Sequence, residues 1–382
     1  MRSFTTTSLA LFALFLSAHG IPTSSTLIKA SGPVKPDSYI VVLKNNVNQA
    51  NHLSSLAGIE THDAVTYQQV THLYDTAFNG YACILRGAAL DHVLNSKDVD
   101  FVEQDSIASI KYDESFSTEV LDGRGLVKTE RTIAGDGVDV YGIDTGVYAA
   151  HVAFAGRVSW GATFGGYASQ DGNGHGTHTM ATAIGATYGL ATRAKGIAIK
   201  VLSDTGSGYT SDVISGVNFA YQRAKSSRRP SVVNMSLGSG LSTALNTAVS
   251  NAISGGLHFT VAAGNSDVDA KTTSPASVPT ANTVGAIDST NVKASFSNYG
   301  TVLDVWAPGV NILSAFIGAP TATARLSGTS MAAPYVAGII AIVLGEYGSV
   351  SPASMSSSLK SHARAIVTGV PAGTTTLKAV LW

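Results

Sequence analysis

Val138-Asp-Val-Tyr-Gly-Ile143, ending in Asp144-Thr145-Gly146, is a short apolar run with a carboxylate at its end. Gly196-Ile-Ala-Ile-Lys-Val-Leu202, Ser231-Val-Val-Asn-Met235 and Leu257-His-Phe-Thr-Val-Ala262 have the same texture. Between them, Ser211–Ser226 and Leu241–Ser254 carry helical spacing. Strands apolar on both faces, alternating with helices, predict an α/β fold: a doubly wound, mostly parallel sheet covered on both sides. The site of such a sheet lies at the carboxyl ends of its strands, where Asp144, Ser236 and Asn265 fall.

Further on, Leu326-Ser-Gly-Thr-Ser330-Met-Ala-Ala-Pro334 is a run of small residues around one hydroxyl. Tyr335–Leu344 follows, apolar on every side, and reads as a buried helix. A serine at the start of that helix sits among outward-pointing N–H groups and the positive end of the dipole. It reads either as a capping residue or as a nucleophile with an oxyanion site beside it.

Asp171-Gly-Asn-Gly-His175-Gly-Thr-His178 is a glycine-rich loop running into a helix expected over Thr177–Ala186. Two histidines three apart could be half a zinc site, but no further ligands are spaced to complete one. His175 therefore reads as a functional imidazole and His178 as packed support. Asn265, after Ala-Ala-Gly at a strand end, is a turn residue or, beside a nucleophile, an oxyanion donor. Asp, His and Ser in this chain order, with an Asn donor, form a nucleophilic triad in one of its known orders. The absence of a Gly-x-Ser-x-Gly elbow speaks against a lipase or esterase.

The N-terminal third has a different grain. A basic residue, the apolar run Ser8–Leu16 and small residues at Ala18 and Gly20 read as a signal peptide over 1–20, too short to span a bilayer. Residues 21–37 read as a linker. Residues 38–108 show β-α-β-β-α-β order, a small α+β domain. The polar segment 109–132 reads as a processing linker and the start of a mature chain, with the cut between Ile110 and Gly123. Residues 133–382 complete the larger domain. Charged residues are only 13% and hydrophobic residues 45%, which predicts a large core and excludes a disordered chain. A net charge of −1 without a basic block argues against nucleic acid as a partner. One cysteine, Cys83, allows no internal disulfide.

Ile143-Asp144-Thr-Gly, His175-Gly-Thr-His178, Asn265 after Ala-Ala-Gly, and Gly328-Thr-Ser330-Met-Ala resemble the catalytic blocks of the subtilisin-like serine proteases. Ser295-Phe-Ser-Asn-Tyr-Gly300 and Ser274-Pro-Ala-Ser277 are similar to runs of the secreted fungal branch typified by proteinase K. The resemblance covers nearly all of residues 135–350, and 38–108 resembles that family's propeptide. It implies a secreted, extracellular serine endopeptidase, made as a self-processing zymogen and monomeric, with no membrane partner. Its partners would be protein or peptide substrates and its own inhibitory propeptide. Ser330 would be the nucleophile, His175 the base, Asp144 its orienting carboxylate and Asn265 the oxyanion donor. Ser207, Gly208 and Tyr209, with Ser236, Leu237 and Gly238, match strands that pair with substrate backbone. Ala262, Ala263 and Gly264 would wall the pocket for the residue before the cut, giving broad specificity with an apolar preference. Structural calcium is implied at Asp304 and the carbonyls of Pro279 and Ala281.

The chain departs from the family pattern in places. Ala181 and Ile184 replace glycines, Tyr335 replaces a histidine, and Arg124 stands where a tryptophan is usual. Thr179 and Asn282 occupy cysteine positions, and His151-Val-Ala-Phe154 lacks a Pro-acid pair. No catalytic group is removed, so an enzyme is favoured over an inactive binding protein of the same fold.

Overall fold

The computed structural model describes residues 25–59, 66–110 and 134–382. The expected leader 1–20 and nearly all of 109–132, with Arg124, lie outside the described residues.

Strands β1 (Thr26–Ile28), β2 (Val34–Leu43), β3 (Tyr67–Tyr74), β4 (Gly80–Arg86) and β5 (Val99–Ser109) form one sheet in the order β1-β5-β2-β4-β3. All pairs are antiparallel except β1 with β5. The sheet explains why Ile40-Val-Val-Leu43 is apolar without interruption. Val41 and Leu43 pack under α1 (Gln49–Ala57) and α2 (Ala88–Leu94), while Ile40 and Val42 face the large domain. The stretch 21–37, expected to be a linker, differs: it contains β1 and the start of β2. Its Pro/Gly/Ser composition hid an added edge strand, because a three-residue strand leaves no period to read.

The large domain is built on parallel strands β6 (Asp139–Asp144), β7 (Val158–Thr163), β8 (Lys195–Lys200) and β10 (Ser231–Met235), with β9 (Ser207–Tyr209) outside this sheet. From one edge the order is β7-β8-β6-β10, then His258–Ala262, Asn282–Ile287 and Val305–Pro308. Alternate residues of each strand feed two cores. Val140 and Val232 point toward α3 (His175–Ile184) and α6 (Thr329–Tyr347). Tyr141, Ile143, Val233 and Met235 point toward α4 (Thr210–Ser227) and α5 (Thr243–Ser254). The last helix, α7 (Pro352–His362), packs Met355 and Leu359 into the first core.

By length and composition alone α6 could cross a membrane, yet 83% of its apolar window is buried inside the fold. It is the central helix, and its all-round apolar character follows from burial on every side.

The two domains meet through buried polar chemistry. Asp105 accepts hydrogen bonds from the Ser211 N–H and Oγ at 2.9 and 2.7 Å, at the N-terminus of α4. Glu103 accepts from the Ser242 hydroxyl and, at 2.9 Å, from the Ala244 N–H at the start of α5. Each carboxylate fills donors a helix cannot satisfy itself and meets the positive end of its dipole. Burial pushes both carboxyls above the ordinary range, and the hydrogen bonds only partly offset this.

Candidate active site

Asp144 ends β6 fully inside the protein. Its Oδ1 accepts from His175 Nδ1 at 2.8 Å and from the Thr145 N–H at 2.7 Å. Its Oδ2 accepts from Thr179 Oγ1 at 3.3 Å. The threonine at a family cysteine position is thus a third donor to this carboxylate. A fully buried pair of this kind fixes both the ring's orientation and which nitrogen carries the proton.

His175 opens α3, two residues earlier than the spacing predicts. Gly174, the cap, has φ +98°, and a Cβ there would fall 2.5 Å from Phe316. Gly176 lies so close to the Gly146 carbonyl that a Cβ would sit 2.0 Å from its oxygen. Only glycines let the loop turn this tightly against β6. The loop is tied by Asp171, a residue the sequence reading passed over. Its Oδ1 accepts from Thr145 Oγ1, the Asn173 N–H and the Gly174 N–H at 2.9, 3.1 and 2.8 Å. Its Oδ2 accepts from the Thr177 N–H and Oγ1 at 2.9 and 2.6 Å. An aspartate four residues before His175 and six before a threonine is the signal: it gathers the free donors of a helix start.

Ser330 lies in the first turn of α6. Pro334 stands four residues on and lacks the N–H that would bond the Ser330 carbonyl. The Ser236 hydroxyl supplies the missing donor at 2.8 Å, and the Ser330 hydroxyl donates back to the Ser236 carbonyl at 3.2 Å. Next door, Asn265 Oδ1 accepts from the Thr329 N–H and Oγ1 at 2.9 and 2.8 Å. Both acceptor sites of its oxygen are used, so the amide nitrogen is the end presented to the cleft.

Beside Ser330 is a cavity of about 350 Å³ lined by Leu237, Gly238, Ala262, Ala263, Gly264 and Asn265, together with Thr273 and Asn298. Among the described residues that line it, none is charged. Ser207, Gly208 and Tyr209 form β9, which pairs antiparallel with the end of β5, and Gly238 bridges β5 from the other side. The small domain's last strand therefore lies in the cleft between the two segments expected to hold substrate. Asn234, first residue of an Asn-Met-Ser sequon, is buried and donates to Ser236 Oγ at 2.9 Å, a position closed to a glycan.

The calcium positions are occupied differently. Asp304 Oδ1 accepts from Lys360 Nζ at 3.0 Å and Oδ2 from the Thr283 N–H at 2.9 Å. Both oxygens are engaged, one by an ammonium, so Asp304 with Pro279 and Ala281 does not fit a divalent cation as arranged. Other departures have local compensations. His151 caps the turn Val152–Phe154, accepting from the Ala153 N–H at 3.1 Å. Asn282 donates to the Phe259 carbonyl at 2.9 Å. Ala181 and Ile184 are buried between α3 and α6, and Tyr335 is half-buried against the same core.

His178 is fully buried and donates through Nε2 to the carbonyls of Ile312 and Ala324 at 2.9 and 3.2 Å. It ties α3 to a neighbouring hairpin. Burial lowers it from 6.5 to about 3, and lowers buried His258 from 6.5 to about 4. Both stay neutral in the native state while the unfolded chain takes up protons below about pH 6.5. The unfolded state then binds more protons, so stability falls on acidification from pH 6.5 toward 4. The slope is about 1.4 kcal/mol per pH unit for each histidine. A urea midpoint measured in this window should fall with pH, and His258→Gln should flatten the fall; an unchanged slope would show that His258 titrates alike in both states.

Comparison with known proteins follows the same division of the chain. Residues 135–378 match the Subtilase family, and residues 38–111 match the family described as Peptidase inhibitor I9. Subtilisin-like protease 2 of Pseudogymnoascus destructans is 41% identical over 339 residues, covering 85% of this chain and 84% of its own. A cuticle-degrading serine protease of Arthrobotrys oligospora is 39% identical over 355 residues, 86% of each chain. The crystal structure of a cold adapted subtilisin-like serine proteinase superposes with a TM-score of 0.63 at 42% identity, over 69% of this chain and 97% of that one.

Proposed function

The chain belongs to the subtilase family of serine proteases and carries an inhibitory propeptide, and from that premise we propose a secreted, broad-specificity endopeptidase preferring apolar residues before the cut. The reading rests on one observation above others. Strands β6 and β10 run side by side with Ile143 against Met235. This brings together the strand ends that carry the buried Asp144–His175 pair and the Ser236–Ser330 pair, and a strand of the chain itself pairs with Ser207–Tyr209 and Gly238.

In this proposal Ser330 attacks the scissile carbonyl, and His175 takes its proton and returns it to the leaving amine. Asp144 holds the ring and offsets the charge that develops on it. The Asn265 amide and the Ser330 N–H bind the oxyanion, helped by the N-terminus of α6. Ser207–Tyr209 and Ser236–Gly238 grip substrate backbone on both sides, so recognition is mostly independent of sequence. The uncharged cavity at Ala262–Gly264 supports the apolar preference. The small domain, 38–108, acts as inhibitor, and the leader-like sequence at 1–20 supports secretion. The protein works as a monomer.

A fluorophosphonate probe should label the mature protein at Ser330; a folded, processed chain that stays unlabelled points instead to a binding protein of this fold. Digestion of a peptide library should give cuts mainly after apolar residues. A preponderance after lysine or arginine would overturn the preference.

Calcium is a structural ligand in the subtilisin-like family. At Asp304 we place the Lys360 ammonium in that role. Asp304→Asn should then shift the melting temperature by the same amount in EDTA as in millimolar calcium. Lys360→Gln should lower it by about 1–4 °C, the worth of one partly exposed ion pair. A calcium-dependent rise in the parent that disappears in Asp304→Asn would return the metal to this site.

A further inference from the structure

Lys200 ends β8 directly opposite Asp144, and its side chain is 1% exposed. An ammonium is costly to bury and keeps its charge only where it is paired. Its Nζ donates to the Thr145 carbonyl and to Asp204 Oδ1, both at 2.7 Å, and lies 5.6 Å from the centre of the Tyr167 ring. Apolar groups in place of a buried ion pair often cost a fold nothing, so stability alone does not call for a lysine here.

The two acceptors lead to the two halves of the buried Asp144–His175 pair. Thr145 is fully buried. Its N–H donates to Asp144 Oδ1 at 2.7 Å, and its hydroxyl accepts from the Gly176 N–H and donates to Asp171 Oδ1, both at 2.9 Å. Its carbonyl is the group that Lys200 holds. Asp204 leads to the loop that carries His175. Its Oδ1 also accepts from the Gly172 N–H at 3.2 Å, and its carbonyl accepts from Asn173 Nδ2 at 3.0 Å. Asn173 Oδ1 in turn accepts from the His175 N–H at 3.1 Å. The loop lies close against this aspartate: a Cβ on Gly172 would fall 2.2 Å from Asp204 Oδ2.

We propose that Lys200 is a positioning residue for the Asp144–His175 pair, an assignment that rests on the protease function proposed above. One ammonium joins the strand end that fixes the carboxylate to the loop that fixes the imidazole. A neutral stem of similar length keeps the packing and loses both bonds. Asp204, whose side chain is 48% exposed, then turns to water, and the loop loses its tie to the end of β8. A misplacement of about 1 Å at a reacting group costs about 10²-fold in rate. Substrate binding is spared, because the turn before β9 is closed by its own backbone: the Ser203 N–H donates to the Ser207 carbonyl at 2.8 Å and the Gly206 N–H to the Ser203 carbonyl at 3.0 Å.

Lys200→Met, Asp204→Ala and the double variant test this, with kcat and KM taken on a chromogenic peptide. Active sites are counted by fluorophosphonate labelling carried to completion, so that loss of folded protein does not count as loss of rate. Lys200→Met should lower kcat by about 10–10²-fold with KM within about twofold. Asp204→Ala should lower kcat by a smaller factor. The double variant should lose no more than Lys200→Met alone, as the two ends of one tie do. Should Lys200→Met fail to fold, Asp204→Ala at its half-exposed position carries the test. An unchanged kcat per labelled site in either single variant, or losses that multiply in the double variant, overturns the assignment alone and leaves Lys200 a part of the fold. A parent that neither cleaves nor takes the label overturns the protease reading and this assignment with it.

Discussion

Replacing Ser330 with alanine should cut peptidase turnover by about 10⁶-fold, a size carried over from subtilisin, a relative. The residue is buried at the head of α6, and among the described residues its hydroxyl makes one hydrogen bond, to the Ser236 carbonyl. Losing that single bond costs about 1 kcal/mol, so the fold and the Ser236–carbonyl bond to residue 330 should survive. The Asn265 amide and the substrate strands also remain, and these sustain a residual acceleration of about 10³–10⁴ over water. Two readouts separate chemistry from folding. Ser330→Ala should accumulate as the uncut full-length chain with an almost unchanged melting temperature. Matured in trans by a trace of parent enzyme, it should show the lowered turnover on a chromogenic peptide. Retention of more than about one part in a hundred would place the nucleophile elsewhere, since truncating a true one leaves far less.

Much of this site was legible because the chemistry is written in short, local patterns. An apolar run ending in Asp144, a glycine-rich run around His175 and a small-residue run around Ser330 each mark a strand end or helix start, and the sheet gathers such places on one side. The doubly wound sheet was equally legible, because strands buried on both faces lose the period-two pattern that a wet face imposes. The β-α-β-β-α-β order of residues 38–108 opens on the strand that contains Ile40–Leu43, but it does not show that strand's second buried face. That face is covered by α4 and α5, nearly two hundred residues away, and nothing local records it. The same distance hid the Ser236–Ser330 lock. Pro334 announces an orphaned carbonyl in the sequence, but only the fold says that Ser236 meets it. Lys360 was invisible for a similar reason: one lysine on an amphipathic helix is usually solvated, and its partner Asp304 lies 56 residues upstream. Asp171 is legible in the sequence, since an aspartate ahead of a helix start is a capping signal.

Asp144→Asn should lower turnover by less than the about 10⁴-fold seen where an asparagine at the equivalent carboxylate leaves the imidazole in the wrong tautomer. The geometry decides what kind of loss this is. The Thr145 N–H donates to Asp144 Oδ1 at 2.7 Å, and the same oxygen accepts from His175 at 2.8 Å. An asparagine that keeps its oxygen there satisfies both donors, while its NH₂ meets Thr179 Oγ1, a hydroxyl able to accept as well as donate. The ring can then hold its present tautomer. What disappears is the negative charge facing an imidazolium in a fully buried site, where Coulomb terms are large. The loss should therefore appear in kcat with KM little changed, because the charge on His175 exists only as the reaction proceeds. Asp144→Ala, which also removes the oxygen that orients the ring, should be slower still. A loss under about tenfold in Asp144→Asn would mean that some other group carries the imidazolium charge. A loss equal to that of Asp144→Ala would mean that the asparagine has flipped, with its NH₂ toward His175 and the wrong nitrogen protonated.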